Sequence, residues 1–213
     1  MGILKVGHIG KGELSLDYVA YKEALKEQKW HAIEHVNWPG EFPYKPFVNF
    51  QIAHTSSHIV LHYAVEEEYV KAQYIRPNES VWEDSCVEFF ISFDNKKQYY
   101  NFEFNVLGTG LIGFGSSDKD TRVRLEPAVI EQVSTLTTVV NNKGVKTWAI
   151  VLLIPVTVFE NIGLKSFDGI KADVNFYKCG DALPTPHFIS WNKINHATPN
   201  FHLPEYFGQV EFA

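Results

Sequence analysis

Residues 81–93 read Val-Trp-Glu-Asp-Ser-Cys-Val-Glu-Phe-Phe-Ile-Ser-Phe, and residues 98–106 read Gln-Tyr-Tyr-Asn-Phe-Glu-Phe-Asn-Val. Successive side chains of a strand point to opposite faces. If the first stretch is extended from Trp82, then Trp82, Asp84, Cys86, Glu88, Phe90 and Ser92 share one face, and Val87, Phe89, Ile91 and Phe93 share the other. The second stretch repeats the device, with Tyr100, Phe102 and Phe104 set against Tyr99, Asn101, Glu103 and Asn105. The purely apolar sets belong in a core. The mixed sets form a face on which an indole, amides and carboxylates look outward together. Asp94-Asn-Lys-Lys97 between the two stretches is turn chemistry, which makes them neighbours.

The same period of two extends in both directions. Before the pair it runs through Val48, Phe50 and Ile52 and then Ile59, Leu61, Tyr63 and Val65. After it, strands are predicted over 123–126, 132–141, 146–154, 169–177, 188–190 and 208–212, joined mostly by short turns. Helical spacing occurs once, over Leu16–Lys29, with Ser15 as cap and Leu16, Val19, Ala20, Ala24 and Leu25 on the apolar side. Strands without interleaved helices argue for an all-β, antiparallel β-sandwich of immunoglobulin or jelly-roll type, and against a doubly wound parallel sheet. No repeat or Ser/Gly linker divides the chain, so residues 1–213 are read as one domain.

Composition narrows the function classes. The 213 residues carry 19 Lys plus Arg against 25 Asp plus Glu, a net charge of -6 that repels a phosphate backbone and excludes nucleic acid as the expected partner. No run is long and apolar enough for a membrane span, so no membrane insertion is expected. The first residues lack a secretory signal. The protein is then cytoplasmic, or extracellular or periplasmic if a signal has been removed. Cys86 and Cys179 lack metal-motif spacing and are read as buried thiols. Rings make up 15% of residues, enough for both a β core and a recognition surface.

Several motifs are weaker than they look. Gly108-Thr-Gly-Leu-Ile-Gly113 fits the dinucleotide fingerprint, but no helix follows to hold a pyrophosphate, so a glycine-rich hairpin or bulge is expected. His187, His196 and His202 lack ligand spacing. Asn78-Glu-Ser80 is a nominal glycosylation sequon. Glu83, Asp84, Glu88 and Glu103 supply carboxylates that a glycosidase could use. The face carrying Trp82 and Glu88 suits a sugar, whose C–H faces lie on aromatic planes and whose hydroxyls bond carboxylates and amides.

The chain resembles carbohydrate-binding module family 9 and its bacterial relatives. The resemblance rests on Trp82-Glu-Asp-Ser-Cys-Val-Glu-Phe-Phe-Ile91, Tyr99-Tyr-Asn-Phe-Glu-Phe-Asn105, Trp148-Ala-Ile-Val-Leu-Leu-Ile-Pro155, Val174-Asn-Phe-Tyr-Lys178, Ile189-Ser-Trp191 and Asn200-Phe-His-Leu-Pro-Glu-Tyr-Phe-Gly208, in order over about residues 30–213. It implies a β-sandwich that binds an oligosaccharide or polysaccharide, such as plant polysaccharide fragments, without cleaving it. Such modules are often attached to xylanases, and some members bind calcium. Asp94, Asp118 and Asp120 are too dispersed here for an EF-hand loop, and no other cofactor is indicated.

In the family the sugar lies between two tryptophans and is held by a Glu, by an Arg and by polar C-terminal segments. The resemblance places the first tryptophan on Trp82, the Glu on Glu88 and the second tryptophan on Phe201. The arginine position holds Glu103, which reverses hydrogen-bond polarity there. Trp191, Asn175, Tyr177 and His202 are further candidates from the matching C-terminal segments. Two rival readings remain open: a xylanase-related glycoside hydrolase using Glu88 with Glu83, Asp84 or Glu103, and a degenerate structural module that has lost its ligand.

Overall fold

A computed structural model describes residues 2–10 and 18–213. In chain order the strands are β1 (Leu4–His8), β2 (His31–Ala32), β3 (His35–Val36), β4 (Phe47–His54), β5 (His58–Glu67), β6 (Cys86–Ser92), β7 (Tyr99–Asn105) and β8 (Gly110–Gly115). They continue with β9 (Val123–Arg124), β10 (Ser134–Asn142), β11 (Val145–Pro155), β12 (Lys171–Cys179), β13 (Phe188–Ser190) and β14 (Gly208–Phe212). The β-sandwich expected from alternation is present. One layer runs β10-β11-β5-β4 and the other β14-β12-β6-β7-β8-β9.

The layers are joined by β1, which pairs in parallel with β14 through Leu4–Val6 and with β4 through Gly7 and His8. The sheet is therefore mixed at this seam and antiparallel elsewhere among the described strand pairs. The helix α1 spans Tyr18–Leu25, shorter at its C-terminal end than the Leu16–Lys29 expectation; Ser15, Leu16 and the start of that prediction lie outside the described residues. Among its described side chains, Tyr21 and Leu25 are buried, on Ala53, Val60, Val151 and Leu153, whereas Ala20 is exposed.

Alternation correctly divides β6 and β7. Val87, Phe89, Ile91, Tyr100, Phe102 and Phe104 enter the core between the layers, with Phe50, Tyr63 and Ile150 opposite. Phe50 and Phe176 stack at 3.8 Å across that core. The other face of β6, β7 and β12 carries a second apolar cluster that includes Cys86, Phe90, Tyr99, Tyr177 and Cys179, roofed by Phe201 and Phe207 of the C-terminal segment. That outer face positions the candidate site. The glycine-rich stretch is a turn followed by β8, with Gly108 at φ +82°.

An ion pair lies at one edge of the core. Lys178 Nζ is 2.8 Å from Glu67 Oε2 with both side chains wholly buried. Glu67 Oε1 also accepts a 2.7 Å bond from Trp148 Nε1, and Lys178 Nζ meets His187 Nε2 at 2.8 Å.

Candidate functional site

A cleft of about 500 Å³ opens on the outer face of β6, β7, β8 and β9 beneath the 199–202 segment. That is within the size range of small-molecule sites, roughly 300–1,000 Å³. Of the residues singled out from sequence, Trp82, Glu88, Glu103, Phe201 and His202 line it.

The extended run does not reach Trp82, which sits in a 3-10 turn, Val81–Glu83, just before β6 begins at Cys86. Buried Asp84 causes the departure, because its carboxylate accepts the backbone N–H groups of Gln73 and Tyr74 and the Asn105 amide and so draws the chain out of the ladder. The turn is tied to the loop after β12 by Asp181 N donating to Trp82 O at 3.1 Å and Ala182 N to Glu83 O at 3.3 Å. Asp84 thus holds the Trp82 turn instead of facing the cleft.

Glu88 and Glu103 are directly opposite each other in the β6–β7 register, and both are nearly buried. Burial raises both carboxyls, and the Glu103 charge raises Glu88 further. Asn101 Nδ2 donates to Glu103 Oε1 at 2.8 Å, and Arg124 and Arg122 also favour the ionised form, which leaves Glu103 raised only to about 7. Cys179 Sγ donates to Glu88 Oε1 at 3.0 Å.

Two arginines reach the cleft from elsewhere in the chain: Arg124 on β9 and Arg122 just before it both line it. Arg122 is a fixed strut: it donates to the carbonyls of Gly115 and Ser116 and to Asn101 Oδ1, and its guanidinium lies 4.1 Å from the Tyr99 ring centre. Arg124 is exposed, lies 5.7 Å from the Trp82 ring centre and donates to Asn78 O. It brings a donor fork next to the indole. Sequence reasoning missed both residues: Arg124 falls within the strand expected over 123–126, and Arg122 immediately precedes it. Asn78, the nominal sequon, spends its side-chain amide on Leu125 O and its own carbonyl on Arg124.

Phe201 is less of a wall than the resemblance implies. Tyr177 stacks on one face of its ring at 4.2 Å, and only 8% of the residue is exposed. Tyr177, Asn175 and Trp191 do not line the cleft. Tyr177 is buried behind Phe201, and its hydroxyl donates to Phe201 O. Asn175 is consumed in pinning Asn192, accepting from Asn192 N at 2.9 Å. Trp191 turns toward the core, edge-on to Phe176 at 5.4 Å. His202 is held at the rim by the Tyr99 hydroxyl, 2.9 Å from Nδ1. His187 belongs to the buried ion-pair network and not to any cluster with His196 and His202.

Cys86 and Cys179 are free and buried, as expected. Among the described residues the side chains that converge as metal ligands are Cys86, Cys179 and Glu88, and sulfur does not suit a hard cation that takes six to eight oxygens.

A family model, carbohydrate-binding family 9, matches residues 19–212. A candidate carbohydrate-binding protein from Bacteroides uniformis is similar over 99% of this chain and 97% of its own, at 38% identity and a TM-score of 0.88. A family 9 module from Caldicellulosiruptor kristjanssonii, solved with glucose, aligns over 99% of this chain and 95% of its own at 12% identity and a TM-score of 0.66. A structure of a family 9 module from that organism with cellotriose gives 0.63, also at 12% identity, over 99% and 93%. No curated protein matches the chain. The family match spans nearly the whole of a β-sandwich whose outer face carries an aromatic and carboxylate cleft, so the chain belongs to carbohydrate-binding family 9, whose role is to bind carbohydrate without cleaving it.

Proposed function

We propose that the cleft binds a neutral glucan or xylan fragment, with Trp82 as stacking platform, Glu88 and Glu103 as hydroxyl partners and Arg124 as donor. The observation that carries this reading is the convergence of an indole, a guanidinium and a carboxylate pair in one cleft of ligand size. A carboxyl pair whose proton affinity is raised by burial can offer both a donor and an acceptor to a vicinal diol. The glucose and cellotriose bound by the Caldicellulosiruptor modules make short β-linked glucose oligomers the first ligands to test.

Hydrolysis fits the geometry less well. Glycosidase carboxyls flank the scissile bond, whereas Glu88 and Glu103 rise side by side from one sheet face and would meet a sugar from the same side.

Calorimetric titration with glucose, cellobiose, cellotriose and xylotriose is expected to give micromolar-to-millimolar binding, in keeping with few stacking contacts. Trp82→Ala is expected to weaken it by about tenfold or more. Affinity unchanged in both Trp82→Ala and Glu88→Gln would place the sugar elsewhere, and steady release of reducing sugar would restore the hydrolase reading.

A further inference from the structure

We propose that Cys86, Cys179 and Glu88 form a site for a thiophilic divalent cation, zinc by its chemistry, in the floor of the cleft. The sheet dictates the cluster. Cys86 and Cys179 are direct register partners on β6 and β12, and Glu88 stands two residues along β6 on the same face. One ligand atom from each residue lies within 4.8 Å of the others, and Cys179 Sγ is already 3.0 Å from Glu88 Oε1. Around tetrahedral zinc, with Zn–S near 2.3 Å and Zn–O near 2.0–2.2 Å, neighbouring ligand atoms stand roughly 3.6–3.8 Å apart. Closing the site needs side-chain adjustment only.

Access and charge agree with this assignment. Glu88 and Cys179 line the cleft, so an ion can enter from solvent and keep its fourth position open to the cleft, where water would complete the tetrahedron. The charged groups facing the cluster from neighbouring elements are Glu103 on β7, Asp181 after β12, Arg124 on β9, Arg122 just before β9, and Lys178 on the opposite face of β12. Lys178 is neutralised by Glu67, and Arg122 is committed to carbonyls and Asn101. Burial raises both thiols and the Glu88 carboxyl, a cost that a bound dication offsets. On binding, each S–H proton and the Glu88 carboxyl proton leave to solvent as the metal–sulfur and metal–oxygen bonds form, and no electron is transferred. Because the ion engages Glu88, zinc and sugar are expected to weaken each other's binding by the same factor.

The test needs no sugar, so its outcome is separate from that of the carbohydrate reading. Reduced, chelator-treated protein is titrated with cadmium, whose thiolate complexes absorb in the ultraviolet, and then with zinc by calorimetry. A charge-transfer band saturating at one equivalent and reversed by chelator is expected. Cys86→Ser and Cys179→Ser should each diminish the band and weaken zinc by more than the roughly 10- to 100-fold that loss of a ligand's supporting partner alone costs. Glu88→Gln should retain the thiolate band but bind zinc at least about tenfold more weakly. The site is overturned if no band forms in protein whose two thiols react with Ellman's reagent after unfolding, or if the band persists unchanged in both serine variants. Should those variants fail to fold, the amide variant decides: zinc affinity unchanged in Glu88→Gln also overturns the three-ligand site.

Discussion

Replacing Lys178 with Met removes the cation from a wholly buried cluster while keeping much of its volume. Lys178 Nζ has three partners, Glu67 Oε2 at 2.8 Å, Cys179 O at 2.7 Å and His187 Nε2 at 2.8 Å. Without it, the Glu67 carboxylate keeps only Trp148 Nε1 as a close donor, and breaking a buried pair on one side costs about 3–5 kcal/mol. That is a large part of a typical total of roughly 5–15 kcal/mol. His187 provides the control. It is held well below its ordinary value, at about 3, by burial first and by Lys178 second, and its Nε2 lies 3.6 Å from Glu67. In Lys178→Met the repulsion vanishes and an unpaired carboxylate remains, so the folded-state pKa of His187 rises. Where it exceeds the unfolded value, the His187–Glu67 pair adds stability that is full below about pH 6.5 and lost as pH rises through the folded value. The difference between wild type and variant, measured by urea denaturation across this range, should therefore shrink toward acid pH. Adding Glu67→Leu should recover at least about half of the loss, tempered by a Trp148 N–H left unpaired at about 1–3 kcal/mol. A single variant within about 1 kcal/mol of wild type, or a double variant worse than the single, would refute the reasoning.

Three further outcomes follow from the cleft. Gly113→Ala would set a Cβ 2.5 Å from Asn101 Oδ1, forcing Asn101 off both Glu103 and Arg122; a loss of about 2–3 kcal/mol in chemical denaturation is expected, along with weaker sugar binding. Arg124→Ala, on an exposed side chain, should leave stability within about 0.5 kcal/mol yet weaken the best sugar by about tenfold in calorimetry; unchanged affinity would remove Arg124 from the site. The Glu103 carboxyl is raised from 4.5 to about 7, so its contribution to stability is present below about pH 4.5 and is lost as pH rises through about 7. Glu103→Gln should flatten that fall in a series of melting curves, and an unaltered slope would show that Glu103 is not the titrating group.

What the sequence disclosed and what it hid divide by how local the cause is. The faces of β6 and β7 follow from alternation within a single hairpin, which is why Phe89 and Phe102 were assigned to the core and Glu88 and Glu103 to one outer face without knowledge of any other strand. Leu4–His8 shows no comparable alternation, because it serves two layers in turn and pairs in parallel with strands from both. Alternation gives Trp82 its side but not the turn that carries it, because the cause of that turn is remote: Asp84 takes its donors from Gln73 and Tyr74. The same distinction explains the arginine. Reading position by position found Glu103 and inferred a reversed polarity, but a ligand responds to the chemistry gathered in the cleft and not to the strand that delivers it. Arg124 reaches Trp82 from β9, two strands beyond β7 across β8. In the proposed arrangement the cleft offers both donor and acceptor, so the Glu103 departure does not by itself argue for a module that has lost its ligand. The Phe201 departure is different in kind, because a ring backed by Tyr177 and almost covered offers little stacking surface. In the proposed reading, recognition at this site rests on Trp82 and the charged groups more than on a second aromatic wall. That makes a single-sided platform with polar anchors the arrangement that the Trp82 and Arg124 variants will test.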